Sequence, residues 1–294
     1  MRYDRLIAAS MVCATLSVPA AAQVVESGSG AGTTAARDAF RTDLGGGTVA
    51  GANGSFGGVR REINWDGVPA SASAPNNIPA NFFNSTSPRG AVFSTPGTSF
   101  EVSGATTDAG AGQPAAANFG NIDPSYTSTF APFSAQRLFT SVGSNVLDVT
   151  FFIPGTSTPA LTTGFGAIFS DVDLFNTTSI QLFGADGNSL GLYYVLTAGT
   201  SSQGLSFLGI SYATPVISRV RITGGNAALG PGVLDGANAD LVVLDDFLFG
   251  EPTAVPEPAT WAMMILGFGL IGGVLRARRR PRRMQRSNGW KNSS

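Results

Sequence analysis

The sequence predicts a mostly β protein, an antiparallel β-sandwich or jelly roll with long loops, plus one C-terminal transmembrane helix. Three observations carry this expectation. The 294 residues include 38 Gly and 17 Pro but only 13% charged residues, a composition unlike that of a helical bundle. The 20 Phe are interleaved with Thr, Val and Ser, which suits short strands. From about Ser134 the chain breaks into short apolar runs bounded by Gly, Pro, Asn or Asp, as antiparallel sandwiches do.

The elements follow in order. "MRYDR" is basic, "LIAASMVCATLSV" is apolar, and "PAAAQ" offers Ala20 and Ala22 in an A-x-A arrangement. Residues 1–22 therefore read as a secretory signal peptide cut after Ala22. Cys13 lies inside it, and Val12 stands where a lipid-attachment site would need a small residue. Residues 23–58 read as a flexible Gly/Ala-rich segment, with one short helix in "AARDAFRTDLG" stopping at Gly45.

Residues 59–250 form the expected β body. "RREINWDGVP" reads as a strand ending at Asp66-Gly67, with Ile63 and Trp65 on different sides; the competing reading puts the Trp65 ring on a sugar-binding surface. Short strands are expected near 91–94 and 98–102, and a low-complexity loop over 104–120. In "NVLDVTFFIP", Val146, Asp148 and Thr150 alternate against Leu147, Val149 and Phe151. Asp186-Gly187 between two apolar runs signals a hairpin turn. "VISRVRITG" sets Val220 and Ile222 opposite Arg219 and Arg221.

The formal net charge of −1 is segregated. Residues 23–258 carry eight Arg against eighteen Asp or Glu, a balance of −10, whereas the residues after Leu275 carry seven Arg and Lys291 and no acid. So acidic a body repels nucleic acid, which is set aside as a partner. There is no His, and the one Cys falls in the signal peptide. A Ser-His-Asp triad, a Cys-His pair and a His-ligated zinc are thereby excluded. The body should be non-enzymatic.

Carboxylates are the remaining chemistry. A carboxylate-dependent polysaccharide hydrolase is the alternative, with Glu62, Asp66, Glu101, Asp171, Asp173, Asp245 and Asp246 as candidates and no spacing that selects a pair. Oxygen ligands also suit calcium, the one candidate cofactor, for which Asp171, Asp173, Asp245 and Asp246 are the first candidates. The stretches Asp186–Asn188 and Asp235–Asp240 offer further oxygens. Asp and Asn at turns equally serve by bonding their own backbone. Asp245-Asp246 interrupts an apolar strand, so one carboxylate must face inward and take Arg219, Arg221 or a cation as its partner.

The C-terminus reads as a linker (251–258), an apolar helix (259–275) and a basic cytoplasmic tail (276–294). At 1.5 Å per residue, seventeen residues span roughly 25 Å, close to the ~30 Å bilayer core. The tail arginines Arg276, Arg278, Arg279 and Arg280 would stay cytoplasmic and leave the acidic body outside. Pro256, Glu257 and Pro258, then Trp261, Ala262 and Met263, then the Gly-rich helix and the arginines resemble the PEP-CTERM sorting signal. The signal also goes under the label of an ice-binding-protein C-terminal domain, which implies no ice binding here. The resemblance implies an exosortase, a membrane protease-transferase, as partner, with cleavage near Pro-Glu-Pro. It further implies a Gram-negative bacterium making extracellular polysaccharide. The chain would be exported, anchored transiently in the membrane, and delivered to the cell surface or medium as a matrix protein. A permanently anchored surface protein is the other outcome. The body resembles secreted bacterial proteins of similar length, and that resemblance implies no activity.

Overall fold

A computed structural model describes residues 22–108, 114–255, 264–272 and 276. The chain divides into two units, one ending at Ala254 and the other beginning at Val255. The first unit's strands are β1 (Gln23–Ser29), β2 (Ser55–Phe56), β3 (Arg60–Ile63), β4 (Ala91–Ser94), β5 (Ser99–Val102), β6 (Phe139–Val142), β7 (Val146–Phe151) and β8 (Ala160–Leu161). They continue as β9 (Gly164–Ser170), β10 (Ser179–Phe183), β11 (Ser189–Tyr194), β12 (Leu205–Tyr212), β13 (Arg219–Thr223), β14 (Val243–Gly250) and β15 (Thr253–Ala254).

Every pairing between these strands is antiparallel. An eight-stranded sheet runs β1-β12-β9-β14-β3-β2, with β6 pairing both β14 and β5; a five-stranded sheet runs β11-β10-β13-β7-β4. Alternation decides which side chains each sheet turns inward. In β7, Leu147, Val149 and Phe151 are buried, whereas Val146, Asp148 and Thr150 are half-exposed, as the sequence pattern predicts. The inward residues of both sheets form one apolar cluster. Phe93 of β4 contacts Phe139 of β6 at 5.1 Å, and Phe151 of β7 contacts Phe249 of β14 at 5.3 Å between ring centroids.

The larger sheet is covered on its other side as well. Helix α1 (Thr33–Asp43) buries Ala36 and Phe40, and with Leu44 these pack on Ile168, Phe207 and Leu248. That second cover explains why β9 and β14 are buried at every residue instead of alternating. Gly166 and Gly209 face each other across β9 and β12, and a Cβ on either would come within 2.8 Å and 2.6 Å of the Phe40 ring. Glycine here lets the helix sit directly on the sheet.

The segment 23–58 differs from the flexible stretch expected from its composition. Its helix is where the sequence places it, but β1 also pairs residue for residue with β12 from Gln23↔Tyr212 to Ser29↔Ser206. Backbone hydrogen bonds to a complete neighbouring strand hold a sequence whose own propensity is weak. Trp65 also departs from expectation. β3 ends at Ile63 and a 3-10 turn begins at Trp65, so strand alternation no longer applies and both side chains are fully buried. The ring is thus unavailable to a sugar.

In the second unit, residues 264–272 and 276 are helical. No described helix is long and apolar enough to cross a membrane. The remainder of the expected 259–275 span lies outside the described residues.

Candidate functional site

The carboxylates fall into separate groups. Asp171 follows the last residue of β9, and its backbone has φ +74°, a left-handed conformation that non-glycine residues seldom adopt. Its N–H donates to Gly204 O at 2.7 Å, and its Oδ1 accepts from Gln203 N at 3.0 Å. The register Ser170↔Leu205 and Ser170↔Val243 puts the end of β9 beside the starts of β12 and β14. The loop into β14 carries Asp235, whose Oδ1 accepts from Leu241 N at 2.9 Å.

This arrangement brings one carboxylate oxygen each from Asp171, Asp173 and Asp235 within 4.8 Å of one another. Asp171 has no solvent exposure. Its Oδ2, together with Oδ1 of Asp173, is buried without a hydrogen-bond partner among the described residues. Asp240 braces the group from behind: its Oδ1 accepts from Asp173 N at 2.9 Å, and its Oδ2 accepts from Thr177 Oγ1. Burial, then the charges of Asp235 and Asp173, push the Asp171 carboxyl up to about 8. Burial, then Asp235 and Asp240, push Asp173 up to about 6. Burial likewise raises Asp235.

Asp245 and Asp246 form a different centre, apart from that group. The register of β14 against β9 shifts between Leu244 and Phe247, and this bulge turns both carboxylates inward. Oδ2 of Asp245 accepts from Phe133 N at 2.5 Å and Ser134 N at 3.2 Å, and Oδ1 of Asp246 accepts from Ser134 Oγ at 2.9 Å. Burial, then the Asp246 charge, holds the Asp245 carboxyl well above the usual carboxylate range. Neither expected arginine is the partner. Arg219 and Arg221 both bond Asp148 on the neighbouring strand, at 3.1 and 2.8 Å. The bulge lets loop amides reach the acids directly, which the alternating strand pattern does not reveal.

The remaining candidate acids are committed elsewhere. Glu62 accepts from Arg41 Nε and Nη2 at 2.8 Å each and from Arg60 Nε at 3.0 Å. Asp66 Oδ1 accepts from Arg137 N at 3.0 Å, and buried Glu101 accepts from Asn121 Nδ2 at 2.8 Å. Burial raises the Glu101 carboxyl. Beside Glu62 lies a cleft of about 360 Å³ lined by Asp38, Arg41, Thr42, Phe56 and Arg60 among others.

The sequence pattern singles out Asp171 and Asp173 and, as a source of further oxygens, Asp235–Asp240; the fold brings one oxygen each of Asp171, Asp173 and Asp235 together. The sorting residues Pro256, Glu257, Pro258, Trp261, Ala262 and Met263 lie outside the described residues, as do Ala20, Arg278, Arg279 and Arg280. Ala22 is exposed immediately before β1, and Arg276 is exposed and helical.

Comparison with known proteins bears on the C-terminus. The PEP-CTERM protein-sorting motif matches residues 254–280, where the tripeptide and basic cluster stand. This motif marks an exosortase-sorted, secreted protein, with exosortase as its processing partner. No curated protein matches the chain. Among solved structures, a glycoside hydrolase family 43 arabinoxylan arabinofuranohydrolase from Bacillus subtilis, in complex with cellotetraose, matches at 15% identity with a TM-score of 0.26. The match covers 57% of this chain and 28% of the hydrolase, too loose a superposition to carry a fold or an activity across.

Proposed function

We propose that the chain is a non-enzymatic protein of the cell envelope or extracellular matrix, exported, held briefly in the membrane by residues 259–275, released by exosortase, and associated with extracellular polysaccharide. The observation that carries this reading is the sorting motif at residues 254–280. It stands after an acidic body and before a tail that gathers seven Arg and one Lys. Proline on both sides of Glu257 is a sequence that disfavours helix, which suits protease access. In the helix that follows, Ile265, Leu266, Phe268, Leu270 and Ile271 are all at least 59% exposed, as apolar side chains would be toward lipid. The first unit supplies a sandwich-like body, with a cleft of about 360 Å³ where the exposed Asp38 and Thr42 offer polar groups to sugar hydroxyls.

The non-enzymatic reading is supported by the state of the acids. Asp245 and Asp246 are buried, Glu62 is tied to two arginines, and Glu101 bonds Asn121. None of these four is both free and open to a substrate as a hydrolytic pair must be, which leaves Asp171 and Asp173, with their partnerless oxygens, as the acids a hydrolytic reading would have to use. A glycan array probed with the mature protein tests the proposal. Saturable binding to at least one extracellular polysaccharide, without release of reducing ends, is the expected result. Binding to none, or hydrolysis, would overturn it.

A further inference from the structure

We propose that Asp171, Asp173 and Asp235 form a calcium site that pins together the loops at one end of strands β9, β12 and β14. The inference is independent of any polysaccharide ligand.

A fully buried carboxylate whose oxygen lacks a partner is strongly disfavoured as an anion unless a cation or donor faces it. Asp171 is in that position at Oδ2; Asp173 is half-buried but its Oδ1 is likewise enclosed without a partner, and one oxygen of each lies within 4.8 Å of an oxygen of the half-buried Asp235. Three carboxylates converging from two separate loops would repel one another and splay the loops apart. Yet Asp240 orients Asp173, and Gln203 and Gly204 orient Asp171, so the chain builds hydrogen bonds that hold the acids together. Such bracing is expected of a site that positions ligands.

The donor set selects the ion. All three ligands are carboxylate oxygens with no nitrogen or sulfur among them, which favours a hard cation. Oxygens bound to calcium at 2.3–2.6 Å lie at most about 5 Å apart, in keeping with the 4.8 Å limit on this cluster. Calcium tolerates irregular geometry from loops and fills its shell with carbonyls and water, whereas magnesium demands a near-ideal octahedron about 4 Å across. The secreted destination agrees, because extracellular calcium modules work with Kd values of about 10⁻⁴–10⁻³ M. A site of that strength would fill outside the cell and stay empty at cytosolic calcium levels.

Titration calorimetry and thermal melting of the full-length chain test the assignment, with calcium chloride, magnesium chloride or a chelator. Calcium should bind saturably, with Kd no weaker than about 10⁻³ M, and a hundredfold excess over Kd should raise Tm by roughly 5–10 °C. Asp235→Asn should weaken binding at least tenfold, yet its Tm in chelator should match or exceed that of the parent, because one repelling charge is gone. Asp235 lies in a loop, so this variant keeps the strand framework; Asp173→Asn gives a second reading on the same terms. The proposal is overturned if calcium neither binds nor shifts Tm, if Asp235→Asn binds as tightly as the parent, or if magnesium binds as well as calcium.

Discussion

The Trp65 indole stacks on the Phe139 ring at 4.1 Å between centroids and 7° between planes, while its Nε1 donates to Asp245 O at 2.9 Å. One side chain therefore joins the turn after β3, the inner face of β6 and the bulge of β14. Phe83, Phe93 and Phe247 close the ring in from other sides at 5.2–6.0 Å. Trp65→Ala is expected to cost about 3–5 kcal/mol, the usual range for emptying a buried aromatic site. Trp65→Phe should cost less but leave the Asp245 carbonyl without its donor, a loss of about 1–3 kcal/mol. Urea denaturation of the two variants against the parent checks both values. A Trp65→Ala cost under 1 kcal/mol would mean that the ring is not central to the core.

Glu62 joins α1 to β3 through Arg41 and Arg60. Arg60 is only 2% exposed, so removing its carboxylate strands a charge in the interior. Glu62→Ala should destabilise by about 3–5 kcal/mol. Glu62→Gln, which keeps oxygen acceptance, should lose less. Hydrogen exchange along Thr33–Asp43 reports the coupling directly: faster exchange of the helix in Glu62→Ala is expected, and unchanged exchange would show that apolar packing alone docks it.

The Asp245 carboxyl gives a pH signature of defined sign. Its folded pKa is raised, so between about pH 4, where the unfolded chain releases the proton, and the higher folded value, the native state binds more protons. Stability must then fall as pH rises through that window. Asp246 faces Asp245, and Glu62 and Asp66 add charge around Asp246. Asp245→Asn retains an acceptor for Phe133 N and removes the titration. The variant should therefore gain stability on the parent as pH rises from 4 to 7. A stability difference independent of pH would contradict the shift.

What the sequence revealed and what it concealed have physical reasons. β7 and β13 were legible because one face packs inward and the other meets water, so their residues alternate. β1 was hidden, since "QVVESGS" owes its strand to pairing with β12 and not to its own preferences. The two-sided burial of β9 depends on α1 lying over it, and the glycines that allow this resemble loop residues when read alone. Asp171 and Asp173 stand two residues apart in the sequence, whereas Asp235 is remote from them and meets them only through the β9–β14 pairing. The β14 bulge, which puts both Asp245 and Asp246 inside, leaves no mark on the alternation. The sorting motif was the opposite case: its order of tripeptide, apolar run and arginines is local, and local patterns survive without tertiary context.

On the proposed function, the C-terminal segment is an address removed during delivery. Intact-mass analysis of the protein recovered from the surface or medium of its native host tests this most directly. The expected product begins at Gln23 and ends near Pro256–Pro258, without the arginine tail, and Glu257→Ala is expected to stay in the membrane fraction uncut. A surface or secreted protein whose mass still includes the residues from Arg276 to Ser294 would contradict it.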